Sequence, residues 1–156
     1  MSNFEYCAVV WHFCGKMNNN KIEKIQKRRL RIVYSDYNAT YENLPTRLGT
    51  ITMLQRRVCK ILIEVYKSIN EMNPAFLNDT FELKSPKYFM RNFQLLNQPK
   101  KTTTTFGLRS FSYFGSKLWN DLPNNIKKSK DIDEFKSHLK LWSKSMHSLT
   151  YLGDFL

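Results

Sequence analysis

The segment ITMLQRRVCKILIEVYKSINEM, Ile51–Met72, decides the fold. Wound at about 100° per residue, Ile51, Leu54, Val58, Ile61, Leu62, Val65, Ile69 and Met72 gather on one face, with Arg56, Lys60 and Lys67 opposite them. The spacing predicts an amphipathic helix with an apolar stripe and a basic back. Thr50 or Thr52 supplies an N-cap. Asn73-Pro74 supplies the stop, because the residue before a proline is pushed out of the helical region.

Upstream, Lys21–Tyr34 repeats the pattern. Ile22, Ile25, Leu30, Ile32 and Val33 fall on one side and are expected to be buried, while Lys24, Lys27, Arg28 and Arg31 fall on the other. Arg29 lies on the apolar side, where its stem would pack and its head snorkel to a partner, a phosphate contact being the alternative. Cys14–Asn20 reads as a turn in which Gly15 closes one helix and an Asn caps the next. Before it, Asn3–Cys14 is apolar nearly all round and reads as a buried helix. A strand is the alternative, since Tyr6, Val9, Val10 and Trp11 are β-prone. Ser35–Gly49 is a break in which Pro45 limits any helix.

Downstream, the helical period fades from Phe76 to Phe106. Tyr88-Phe89-Met90, Phe93–Leu96 and Thr102–Phe106 are aromatic or β-branched and are separated by Pro86 and Pro99. Irregular chain with a short β-hairpin is expected there. Phe111–Leu122 returns to helix, with Phe111, Phe114, Leu118, Trp119 and Leu122 inward. Asp131–Met146 is the last helix, and Asp131 with Glu134 makes a capping box. Its apolar stripe is Ile132, Phe135, Leu139, Trp142 and Met146; its basic stripe is Lys136, Lys140 and Lys144. Tyr34 and Trp119 are expected in the core.

Composition narrows the function. The 156 residues carry 25 Lys and Arg against 13 Asp and Glu, a net charge of +12. The excess is spread evenly: residues 1–78 hold 12 basic and 6 acidic side chains, and residues 79–156 hold 13 and 7. Such an excess points to polyanions. With 42% hydrophobic and 14% aromatic residues, the chain is too apolar for intrinsic disorder. No run of about 18 apolar residues is present to span a membrane, and the first residues lack the features of a signal peptide. Cys7, Cys14 and Cys59 are odd in number and irregular in spacing, which favours a reducing intracellular setting, cytoplasmic or nuclear.

No constellation for catalysis is legible. Cys7, His12, Cys14 and Cys59 match no zinc spacing. His12, His138 and His147 have no recognisable local partner and read as surface or core residues. Phosphate-binding and nucleophile-elbow motifs are missing. Asp131, Asp133 and Glu134 cluster because they begin a helix, where the dipole favours negative charge. No cofactor, metal or membrane partner is expected.

Many short pieces in one order resemble a known family. They begin with Tyr6-Cys7-x-x-Val10-Trp11. Next comes the run from Asn20-Lys21-Ile22 through Arg28-x-Leu30-Arg31-Ile32-Val33-Tyr34 to Asp36. Gln55-Arg56-Arg57, Ile63–Lys67, Asn73-Pro74-x-Phe76 and Tyr88-x-x-Arg91 follow. Gly107-Leu108-x-Ser110 through Trp119-x-x-Leu122-Pro123, then Ile126-Lys127-x-Ser129 and Glu134-Phe135-Lys136, complete the series. Over roughly residues 3–144 the chain resembles the region downstream of the polymerase core in LINE-type, jockey- and CR1-like non-LTR retrotransposon reverse transcriptases. Arg29 stands where that family usually has a small residue.

The resemblance implies a thumb and the helical part beyond it, which grips template–primer duplex, with the catalytic aspartates upstream of this chain. It therefore implies a fragment without activity of its own. The resulting expectation is a mainly α (α+β) fold: a thumb-like helical bundle with a short β-hairpin and two C-terminal helices. Its parts would be a helical region at 1–73, an irregular segment at 74–106, C-terminal helices at 107–147 and a tail at 148–156. The expected partner is RNA, DNA or RNA–DNA hybrid, held non-specifically through phosphates by Lys24, Lys27, Arg28, Arg31, Arg56, Lys60, Lys67, Lys136 and Lys140. The alternatives are a module that docks on a separate reverse transcriptase palm, or a truncated retroelement product without function.

Overall fold

The structure, a computed structural model, describes residues 8–13, 15–35, 37, 51–85, 94–100, 103 and 107–145. Among these residues seven helices follow one another: α1 (Ala8–Trp11), α2 (Lys16–Tyr34), α3 (Met53–Ile69), α4 (Ala75–Asn78), α5 (Phe111–Asp121), α6 (Asn124–Lys127) and α7 (Ile132–Ser145). The mainly α class is as expected. Two compact units form: one takes residues up to Val58 together with those from Leu141 onward, the other Cys59–Lys140.

The second unit contains the apolar core. From α3, Ile61, Leu62, Val65 and Tyr66 are buried; Phe114, Leu118 and Trp119 of α5 join them, as do Phe135 and Leu139 of α7. Burying side chains of this size contributes about 1.5–3 kcal/mol each. Tyr66 stacks on Phe135 at a ring separation of 4.3 Å, and Trp119 lies 6.0 Å from the same ring. The tyrosine's polar tip is not stranded, since its hydroxyl donates to the Ser129 carbonyl at 3.0 Å. Trp119 therefore takes the core position its helix spacing gives it. Gly115 lets α5 approach closely: a Cβ there would lie 2.9 Å from Val65 Cγ2 and 3.0 Å from Phe81 Cζ.

Helix ends in this unit follow local chemistry. Ser110 caps α5, its hydroxyl accepting from the Tyr113 N–H. Glu71 closes α3 in the left-handed conformation (φ 57°), and the Met72 N–H returns to the Lys67 carbonyl at 2.8 Å. α4 and α6 are single turns, each led by a proline: Pro74 and Pro123 accept the first helical bonds through their carbonyls. At α7, Glu134 accepts from the Lys130 N–H at 2.8 Å rather than from that of Asp131, so the expected capping box is displaced by one residue.

The expected short β-hairpin is not shown by the described residues. Among the described residues no strand forms; Leu83 and Leu96 make one isolated antiparallel bridge. Its flanks pair Lys84 N–H with the Leu95 carbonyl and Asn97 N–H with that of Glu82, both at 2.8 Å. On its other side the segment meets a helix. The Asn120 side chain accepts from the Leu96 N–H and donates to the Leu96 carbonyl, while Trp119 Nε1 donates to the Gln94 carbonyl. One amide side chain does the work of a neighbouring strand, so no ladder is needed to satisfy that backbone. Tyr88-Phe89-Met90 and most of Thr102–Phe106 lie outside the described residues. Phe76, placed in irregular chain by the sequence, lies in α4.

The first unit is assembled differently. Of the expected helix Asn3–Cys14, residues 8–13 are described and Ala8–Trp11 is helical. The turn expected over Cys14–Asn20 is corrected: α2 starts at Lys16, so Asn18, Asn19 and Asn20 are helical. Gly15 stands at the helix start with φ 84°, a conformation that suits glycine. Asn19 is buried because its side-chain oxygen accepts from Arg57 Nη1. That tertiary contact outweighs the weak helix propensity of the Asn run.

Candidate nucleic-acid interface

The face by which α2 packs is polar. Asn19, Glu23, Gln26 and Leu30 recur at i, i+4, i+7 and i+11, one stripe of an α-helix. Three of them hold the start of α3 and its buried arginine. Gln26 Oε1 accepts from the Met53 N–H at 2.8 Å, and Glu23 Oε1 from the Leu54 N–H at 2.9 Å. Gln26 Nε2 also donates to the Ile51 carbonyl. Thr52 and Gln55 complete the set as a reciprocal capping box: the Thr52 N–H donates to Gln55 Oε1, and the Gln55 N–H to the Thr52 hydroxyl. Every orphan N–H from Thr52 to Gln55 is thereby met by a side chain.

This docking overturns the expectation that Ile22, Ile25, Leu30, Ile32 and Val33 form a buried face. Ile25 is 51% exposed, Ile32 57% and Val33 66%, and Tyr34, placed in the core by sequence, is also exposed. Ile22 and Leu30 are half-buried. The physical reason is that hydrogen bonds to α3 fix the rotation of α2, leaving most of its apolar side chains beside the interface rather than in it. Arg29, expected to snorkel from the apolar side, is exposed.

Beside the docked stripe, Lys24, Lys27, Arg28 and Arg31 line one open hollow of about 560 Å³ together with Ile32 and Tyr37. Lys24 and Arg28 are exposed; Lys27 and Arg31 are half-buried. Ser35 ends α2 with φ 52°, its N–H returning to the Ile32 carbonyl. Tyr37 lies on the same hollow as the four cations.

The other expected cations differ. On α3, Arg56, Lys60 and Lys67 are all half-buried, and Lys67 pairs with Glu64 at 2.9 Å. On α7, Lys136 pairs with Asp133 at 2.9 Å, whereas Lys140 is exposed. Two further cations are buried outright. Arg57 donates through Nε to the Met53 carbonyl and through Nη1 to Asn19. Lys127 donates to the Asn120 carbonyl at 3.0 Å, and burial lowers its pKa. Both hold backbone or side-chain oxygens inside the fold.

Sequence reasoning missed Asn19, Glu23, Gln26, Arg57 and Tyr37. The polar stripe had a signal in its i, i+4, i+7 spacing, and Thr52-x-x-Gln55 matches a capping-box pattern. Tyr37 had none, because it lies beyond the helical period of α2.

Two side-chain groups bear on chemistry. The Ser129 hydroxyl lies 3.1 Å from His138 Nδ1 but donates to the Ile126 carbonyl at 2.8 Å. The hydroxyl is thus shared between a backbone carbonyl and the imidazole. His12 is fully buried against Phe13 in an edge-to-face contact. Burial, with a smaller contribution from the Arg57 charge, lowers its pKa to about 3, so it is neutral at pH 7. Among the described residues no three His, Cys, Asp or Glu side chains gather as a metal site, and Cys59 is a free thiol. No helix of the described residues is long and apolar enough to cross a membrane. Cys7, Cys14, Met146 and His147 lie outside the described residues.

No protein-family model, curated protein or solved structure matches this chain.

Proposed function

We propose that this chain is a nucleic-acid-binding element without chemistry of its own, which grips RNA, DNA or RNA–DNA hybrid through phosphate contacts inside the cell. The role is the one implied by its resemblance to the region beyond the polymerase core of LINE-type reverse transcriptases. One observation carries the reading: Lys24, Lys27, Arg28 and Arg31 share a single open hollow on a helix that is tied to α3 through Glu23 and Gln26. Cations on such a face release condensed counterions when phosphates replace them, so binding is salt-dependent and indifferent to sequence. Lys67 and Lys136 are partly neutralised by their acidic neighbours.

The test is a salt titration of binding to hybrid, duplex and single strand, with wild type and the R28A/R31A variant. Losing two phosphate contacts should weaken binding and flatten the logarithmic salt slope by about 2 on duplex. Unchanged affinity and slope would overturn the assignment. A second reading, docking on a separate polymerase palm, draws on the exposure of Ile25, Ile32 and Val33. Oligomers by light scattering, with binding that ignores salt, would favour it.

A further inference from the structure

The hollow on α2 offers more than charge. Tyr37 is 66% exposed and Ile32 57%, and both line it beside the four cations. An aromatic ring open to water next to phosphate-binding cations has two chemically distinct uses for one ligand: its neighbours take the backbone, and its face takes a base. Only a strand whose bases are out of the duplex stack can satisfy both. In a double helix the base faces are already covered, and an α-helix laid on it meets phosphates and groove edges instead. Lys24 to Arg31 spans about 10 Å along the helix axis, a footprint of a few nucleotides.

We propose, resting on the nucleic-acid reading above, that this hollow takes unpaired nucleotides, with phosphates on Lys24, Lys27, Arg28 and Arg31 and a base stacked on Tyr37. Every base has a π-face, so the site discriminates single strand from duplex without discriminating sequence. Stacking on an aromatic side chain adds to affinity without adding counterion release, so affinity and salt slope separate.

The experiment is fluorescence anisotropy with the full chain and three labelled probes at matched salt: a mixed-sequence single strand, an abasic backbone with the same number of phosphates, and a duplex of the same length. The single strand should bind about tenfold more tightly than the abasic backbone. Tyr37→Ala should abolish that difference and leave the salt slope unchanged, while Tyr37→Phe should keep it. Circular dichroism confirms that each variant retains its helices. Equal binding of single strand and abasic backbone by wild type, a difference that survives Tyr37→Ala, or a preference for duplex would each overturn the proposal. In those cases salt-dependent binding leaves the phosphate reading standing. Failure of all three probes to bind overturns both.

Discussion

Removing the Gln26 or Glu23 side chain should loosen the start of α3, the longest apolar helix of the fold. Gln26→Ala deletes the acceptor that meets the Met53 N–H at 2.8 Å and the donor to the Ile51 carbonyl at 3.3 Å. Loss of such a cap costs about 1–2 kcal/mol. Glu23→Ala deletes the charged acceptor of the Leu54 N–H, at 2.9 Å. Glu23 is half-exposed, so the cost falls in the lower part of the range for charged partners, about 1–2 kcal/mol. Glu23→Gln keeps an acceptor and loses the attraction of a carboxylate for a helix N-terminus, about 0.5 kcal/mol. The two sites share one helix end, so their effects should not add simply. Hydrogen exchange reads the consequence at the affected groups: the Met53 and Leu54 amides should exchange about tenfold faster for each 1.4 kcal/mol lost. For a chain of this size, Tm should fall by about 2–4 °C per kcal/mol. Lys24→Ala, at an exposed position of the same helix, should stay within about 0.5 kcal/mol of wild type. Unchanged amide protection in both alanine variants would refute the claim that polar side chains fix α2 to α3.

Two further outcomes test the interior. His12 is neutral when folded, with a pKa near 3 set first by burial and then by the Arg57 charge, against an ordinary value of 6.5. The unfolded chain therefore takes up the proton first, so stability is lost as pH falls from about 6.5 towards 3, by at most about 5 kcal/mol. Urea midpoints of wild type and His12→Phe should diverge across that window; parallel pH profiles would refute it. Gly115→Ala gains about 1 kcal/mol of helix propensity but sets a Cβ 2.9 Å from Val65 Cγ2. It should be destabilising by about 1 kcal/mol net. In a Val65→Ala background the penalty should shrink, and an equal cost in both backgrounds would exclude the clash.

The difference between α2 and α3 explains how far the sequence could be read. Val58, Ile61, Leu62 and Val65 are buried because α3 docks by burying apolar area, and periodicity reports that directly. Met72, at the end of the same stripe, is exposed because the left-handed Glu71 has already ended the helix. On α2 the docking free energy comes from hydrogen bonds, and a hydropathy pattern is blind to the difference between a polar side chain in water and one satisfying a helix terminus. Ile25 and Val33 therefore look like core and are surface, while Asn19 and Arg57 look like surface and are core. Around Leu96 the backbone is likewise met by a side chain, Asn120 of a helix, which a pattern of β-prone residues does not report.

The net charge of +12 is uniform along the sequence and unequal in its availability. A buried cation such as Arg57 or Lys127 has already traded hydration for protein oxygens, and moving it to a phosphate would strand those oxygens inside the fold. Lys67 and Lys136 would have to leave Glu64 and Asp133, giving back a contact worth up to about 1 kcal/mol each. Lys24 and Arg28 are exposed on a helix already fixed by contacts with the start of α3. Immobilising a long side chain on binding costs about 0.5–1.5 kcal/mol, but the backbone beneath these two is ordered before any ligand arrives. On the proposed reading, Lys24 and Arg28 are therefore the least costly contacts for a polyanion, because Glu23 and Gln26, by accepting from the Leu54 and Met53 N–H groups, hold their helix in place.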